Sequence, residues 1–380
     1  ITGISPHTLT KIRRRKAPVD KRSLEDYFSA FNLTLTPSDY LKPTSATQIQ
    51  KEKVTPIQQD WGEALDVSIF YGRIKELATL EKWIEIDRCR LVAVLGMGGI
   101  GKTALAVKIA QQLQEQFEYV IWRSLRNAPP LENLLGELIP FLSAGQETQT
   151  EIKVLLQYLR SSRSLIVLDN VETILQPGEC AGQYRTGYEN YGQLFSLIGE
   201  TAHSSCLMLT SREKPAEIAA LEGIDLSVHS LQLTGSLSAA KALLEAKGLS
   251  GSEAQQQQLC ARYGGNPLAL KIVATSIQDL FAGDLGAFLA EDVTVFNSIQ
   301  KLLDRQFERL SPLEQTIMYW LAINREWTTI AELSEDILPA VSRRNLLEAL
   351  ESLIWRSLIE QQAGSYTQQP VVMEYVTERL

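Results

Sequence analysis

Apolar positions recur along the chain with two periods, and the change between them divides it into segments. Residues 91–95 (LVAVL) are an unbroken apolar run, too short for a helix and closed by glycine, which predicts a strand buried on both faces. Behind it Leu105, Ile109, Leu113 and Phe117 recur every four residues, while Lys108, Gln111, Gln112 and Glu115 fall on other faces, as in an amphipathic helix. Leu77, Leu80 and Ile84 mark an earlier helix. Strands are expected at 119–122, 164–170, 205–210 and 224–233, with helices at 131–142 and 152–159. Such alternation predicts a mostly parallel α/β sheet with its ligand at the C-terminal strand ends. From 234 the pattern turns helical: 237–246, 254–263, 269–281, 298–310, 313–323 and 345–355. Residues 358–361 and 366–368 then flank an Ala363-Gly364 turn, which suits the two-stranded wing of a winged helix.

The rest of the chain reads as connections and a small all-α N-terminal unit. Ser5 caps a helix reaching about Arg15, and Ser23 opens another with Leu24, Tyr27, Phe28 and Phe31 as its stripe. Residues 41–60 are polar, punctuated by proline and without apolar period, so they read as linker. Residues 176–193 are turn-rich and read as an irregular loop. The expected organisation is a helix-turn-helix-like unit at 1–42, a linker at 43–66, an α/β domain at 67–233, a helical domain at 234–297 and a winged helix at 298–380.

Composition excludes several classes. Hydrophobic content of 44% and charged content of 22% are ordinary for a globular protein, and 380 residues hold two or more domains. No apolar stretch reaches the length of a membrane span and no secretory signal is legible, so a cytoplasmic protein with no membrane partner is expected. Cys89, Cys180, Cys206 and Cys260 lie far apart, and only three histidines occur, against a zinc site or a disulfide framework. The start at Ile1 and the end inside an expected helix at Leu380 suggest a fragment. Within a net charge of −8, residues 1–22 hold Lys11, Arg13, Arg14, Arg15, Lys16, Lys21 and Arg22 against Asp20 alone. The acidic body will not attract nucleic acid, whereas Lys11–Lys16 could reach phosphates of DNA. The bland alternative is that these cations complement a helix dipole, and a protein-interaction role is preferred.

The chemistry lies in Gly96-Met97-Gly98-Gly99-Ile100-Gly101-Lys102-Thr103, which fits the phosphate-loop pattern G-x-x-x-x-G-K-[ST]. Glycine lets the loop turn its N–H groups around an anion, and the following helix points its N-terminus at the same place. Lys102 can reach the β- and γ-phosphates, and Thr103 offers its hydroxyl to Mg²⁺. Asp169 ends an apolar strand, where the acidic partner of a Mg²⁺–nucleotide site belongs; helix capping is its alternative. Glu172 is a candidate to orient water or else a surface ion pair. Arg212, just past a strand tip, can contact a terminal phosphate, or pair on the surface. Gly264-Gly265-Asn266-Pro267 starts a helix, and that structural role alone would explain it.

FYGR (Phe70–Arg73), the phosphate loop, LIVLDN, TSR (Thr210–Arg212) and GGNPLAL (Gly264–Leu270) occur in order. From about residue 67 to 380 the chain resembles the NB-ARC class of STAND P-loop NTPases, the nucleotide switches of plant disease-resistance proteins, the animal apoptosome scaffold and many bacterial regulators. The resemblance implies an ATP or ADP site. Tyr71 and Arg73 would lie by the adenine, and Gly96, Gly98, Gly99, Ile100, Gly101, Lys102, Thr103 and Ala104 would form the cradle. Thr103 and Asp169 would serve the metal, Arg212 would be the sensor arginine, and Pro267 would stack near the adenine. Where the family places a histidine by the β-phosphate, this chain has Gln369, which donates a hydrogen bond but carries no charge. It also implies slow hydrolysis, state-dependent homo-oligomerisation, an effector protein engaged through residues 1–42 and a repeat sensor of WD or TPR type. The competing readings are an ATP-regulated DNA-binding transcription regulator and a metabolic P-loop kinase. The kinase reading is the weaker, because no separate substrate pocket is legible.

Overall fold

The computed structural model describes residues 21–30, 57–291 and 297–380, and the chain divides into two units, Ile1–Val54 and Thr55–Leu380. In the first unit the helix Lys21–Ser29 is described, with the rings of Tyr27 and Phe28 edge to face. The helix expected over 5–15 and the basic stretch Lys11–Lys16 lie outside the described residues.

The second unit is built on a six-stranded parallel sheet: β1 (Gln58–Asp60), β2 (Leu91–Gly96), β3 (Tyr119–Ser124), β4 (Ser164–Asp169), β5 (Cys206–Ser211) and β6 (Val228–Leu233), in the order β1-β3-β4-β5-β2-β6. Because successive strand residues point to opposite faces, β2 feeds two cores at once. Leu91, Ala93 and Leu95 pack with the helices Leu131–Leu142, Ile152–Ser161 and Asn190–Glu200. Val92 and Val94 pack with the helix Lys102–Leu113 and with Leu80 and Ile84 of the segment before β2. This two-sided burial is why the strand is apolar throughout.

Three expectations need correction. The linker over 43–66 contains β1, which pairs in register with β3 from Gln58↔Tyr119 to Asp60↔Ile121. An edge strand is held by backbone bonds and needs no apolar period, and here Arg123 also clamps Asp60 at 2.6 Å. The irregular stretch 176–193 gives way to the helix Asn190–Glu200, which buries Tyr191, Leu194, Phe195 and Ile198 despite two glycines. The last strand starts at Val228, and Ile224 is exposed in the loop before it.

Beyond β6 come the helices Leu237–Ala246, Glu253–Arg262, Pro267–Phe281 and Leu285–Ala290, then Asn297–Phe307, Pro312–Asn324, Ile330–Asp336 and Arg343–Trp355. A three-stranded sheet, β7 (Thr328–Thr329), β8 (Ile359–Gln362) and β9 (Ser365–Gln368), pairs antiparallel in the order β7-β9-β8, and the helix Pro370–Thr377 follows. Ser252, Ser311 and Thr329 close capping boxes at three of these helices. One hydrophobic cluster runs from Ala240 to Val376 and takes in Met97 of the glycine-rich loop. No described helix is long and apolar enough to cross a membrane.

Candidate functional site

The topology assembles the site. β5 lies between β2 and β4, so the loop after β2 and the acid ending β4 meet across the tip of β5. Asp169, buried, accepts from Thr103 Oγ1 at 2.8 Å and from Thr210 Oγ1 at the end of β5. Thr210 Oγ1 also accepts from the amide of Asn170 at 3.2 Å. Burial pushes the Asp169 carboxyl up from its ordinary range, while the two hydroxyl bonds hold it down. It caps no helix.

Lys102 heads the helix Lys102–Leu113, only 8% exposed, and donates to the carbonyls of Gly96 at 2.7 Å and Met97 at 3.1 Å. Burial draws its pKa down to about 8, Arg212 lowers it too, and Glu172 and Asp169 oppose the shift. Glu172 is buried, against the surface-pair reading; it holds Arg212 Nε at 3.1 Å and accepts the Arg212 amide at 3.2 Å. Arg212 in turn lies against the loop: a Cβ on Gly98 would stand 3.2 Å from its Cζ and 3.3 Å from Oε1 of Gln306.

The helical region closes over the same loop. Asn266 caps the helix Pro267–Phe281, accepting from Leu268 and Ala269, and its Nδ2 donates to the carbonyl of Gly98 at 3.0 Å. The amide of Leu268 donates to the carbonyl of Gly99 at 3.2 Å. Gly99 has a φ of +79°, and a Cβ there would stand 2.6 Å from that of Leu268, so no other residue fits. From the other side Arg73 adopts a left-handed φ of 62°, unusual for arginine, pairs with Glu76 at 2.7 Å and donates to the carbonyl of Ile100 at 3.1 Å.

Beside this loop lies a cleft of about 570 Å³, the size of a small-molecule site. Its lining includes Tyr71, Arg73, Gly99, Ile100, Gly101, Ala104 and Pro267, all expected from the sequence, and Leu243, Leu268 and Lys271, which were not. Gln369 is not part of this cleft: it lines one hollow with Thr234, Gly264 and Gly265 and another with Met97 and Leu233. Thr210, Asn266 and Gln306 also went unrecognised as site residues. Asn266 stood in a motif that capping already explained, and Gln306 carries no local signal.

The donors suit the groups that the loop implies. Mg²⁺ commonly takes one or two protein oxygens and completes its shell with phosphates and water. Thr103 and Asp169 offer such a set, and no larger cluster of metal-ligating side chains occurs among the described residues.

A glycine-rich loop between parallel strand and helix, with lysine, hydroxyl and acidic strand tip in place, defines a P-loop nucleotide-binding protein. Residues 74–176 match the NB-ARC domain model. Those residues therefore form an NB-ARC region of the P-loop NTPase type. An uncharacterized WD repeat-containing protein of Nostoc sp. is 49% identical over 100% of this chain and 32% of its own length. A probable disease resistance protein of Arabidopsis thaliana is 28% identical over 63% of this chain and 26% of its own. The chain thus spans about a third or less of these relatives. The Walker-type ATPase of Pyrococcus abyssi shares the fold, with a TM-score of 0.58, 16% identity, and coverage of 81% of this chain and 96% of that one.

Proposed function

We propose that this chain is the nucleotide-controlled switch of a larger signalling protein, a slow ATP hydrolase whose ADP and ATP forms differ in how the C-terminal region sits on the nucleotide-binding region. The observation that supports this is the meeting at Gly98 of three regions: Arg212 from the sheet, Asn266 from the helical region and Gln306 from residues 297–380. Contacts from two C-terminal regions on the phosphate loop give a bound ligand a direct means of acting on how those regions sit. A ligand there biases any arrangement whose contacts differ between nucleotides.

In this reading the domains are 67–233, 234–297 and a winged helix at 298–380. The amides of Gly98 to Thr103 and the Lys102 ammonium hold the phosphates, and Tyr71, Arg73, Ala104 and Pro267 surround the purine. Thr103 and Asp169 hold Mg²⁺, which when bound neutralises charge on the phosphate oxygens. Arg212 reads the terminal phosphate, released from Glu172 when a stronger anion is present. Glu172, freed in the same exchange, is placed to orient water. The Nostoc relative's name records WD repeats, which supports a repeat sensor in the same polypeptide. State-dependent homo-oligomerisation and an effector bound through residues 1–42 complete the proposal.

The test is nucleotide content and turnover of the purified chain. Bound adenine nucleotide and turnover below about one per minute are expected, and turnover of ~1–100 per second, as in kinases, overturns the switch reading. Lys102→Ala abolishes binding.

A further inference from the structure

Gln306 sits near the end of the helix Asn297–Phe307, is only 4% exposed, and its Oε1 is buried without a partner. The polar groups around it have theirs. Arg212 holds Glu172, Lys102 holds two loop carbonyls, Asp169 holds two threonines, and Asn266 holds the carbonyl of Gly98. Gln306 alone among these reaches the phosphate loop with an unsatisfied carboxamide oxygen, 3.3 Å from where a Cβ of Gly98 would stand. Leucine or methionine would fill the same volume without that penalty.

We infer that Gln306 is a ligand of the nucleotide's phosphate chain, donating from Nε2 to a phosphate oxygen. The inference rests on the cradle being a nucleotide site. Half a turn about the terminal torsion exchanges Oε1 and Nε2, so the position now held by the oxygen becomes that of a donor. A neutral donor suits the place. A third cation beside Lys102 and Arg212 would repel both when the cradle holds no phosphate, whereas a carboxamide adds recognition without charge. The contact also gives residues 297–380 their own grip on the ligand, independent of Gln369.

Gln306→Leu tests this through two measurements of opposite expectation. Without nucleotide, the thermal midpoint of the variant stays level or rises, because a buried unpartnered acceptor has gone. With nucleotide, affinity for ADP, for a non-hydrolysable ATP analogue, or for both falls about tenfold, the loss of one hydrogen bond to a charged group. Gln306→Glu, which sets an anion against the phosphates, weakens binding further. Should Gln306→Leu not fold, Gln306→Met carries the same expectation. Unchanged affinity for both nucleotides, or a midpoint lowered equally with and without them, overturns the inference and leaves Gln306 a structural residue. Lys102→Ala and the unaltered chain run alongside: if the unaltered chain binds no nucleotide, the switch reading falls as well. If it binds, and Lys102→Ala does not, then unchanged affinity in Gln306→Leu counts against the role of Gln306 alone.

Discussion

Lys102 shows what the site asks of a single residue. An ammonium is held beneath a loop where water scarcely reaches, and its pKa is drawn down to about 8. The charged form is what a phosphate binds, and phosphate in turn restores it. In the nucleotide-free protein the amine loses its proton above about pH 8, so binding there requires proton uptake. Affinity should therefore hold steady below about pH 8 and fall above it, about tenfold between pH 7 and pH 9. Calorimetry in buffers of differing ionisation enthalpy should show near-zero proton uptake at about pH 7 and an approach to one proton per nucleotide at about pH 9. A flat profile would mean that the ammonium is charged in the free protein, contrary to its burial.

Among elements, the seam between the sheet tips and the C-terminal helices is held by buried charge. Glu213, next to Arg212, accepts from Arg309 Nε and from Arg356 Nη1 at 2.6 Å. Arg356 also reaches Glu314 at 3.1 Å, which accepts from Ser352 and closes a helix cap at Ser311. The strap after β4 is stitched into the same seam. Arg309 donates to the carbonyls of Glu172 and Leu175, Arg356 donates to that of Glu179, and Ser352 Oγ accepts from the amide of Ala181. Two acids facing two arginines balance, but removing one member strands the others. Arg356→Ala should cost about 3–5 kcal/mol, read as a lower urea midpoint, because Glu314 stays buried without its cation while Glu213 keeps only Arg309. Arg344→Ala, which breaks an exposed pair with Glu348, should leave that midpoint in place. Equal behaviour of the two variants would mean that water reaches the seam.

At the scale of the whole molecule, the apolar cluster from Ala240 to Val376 ties the helical and C-terminal regions together, while the seam to the sheet tips is polar. Polar seams come apart at lower cost than apolar ones, since water replaces their bonds. If nucleotide controls the arrangement, it should act there. Replacing ADP by Mg²⁺ and a non-hydrolysable ATP analogue should speed hydrogen exchange at the amides that cross the seam. These are Gly178 to Arg309, Ala181 to Ser352 and Lys214 to Trp355. The amides of β2 to β5 should stay protected. Exchange that is equal in both nucleotides would defeat the switch reading, whatever the turnover.

What could be read without coordinates was whatever a residue's own neighbours dictate. The phosphate loop and its Thr103 follow from the glycine-lysine-threonine spacing, β2 and β4 from apolar runs, and Asp169 and Arg212 from standing at or just past strand ends, where a parallel sheet gathers its ligands. Tyr71, Arg73 and Pro267 came from motif order, and the folded chain does bring them to one cleft. Local pattern fell short where bonds are made by backbone or across distance. β1 pairs through its peptide groups and shows no period, and the helix Asn190–Glu200 is held by its packing rather than by its propensities. The series of ion pairs Arg309–Glu213–Arg356–Glu314 joins residues as far as 143 positions apart, and Gln306 gains its meaning only from the loop beneath it. Periodicity tells each element which face to bury, but only tertiary packing chooses the neighbour that face will meet.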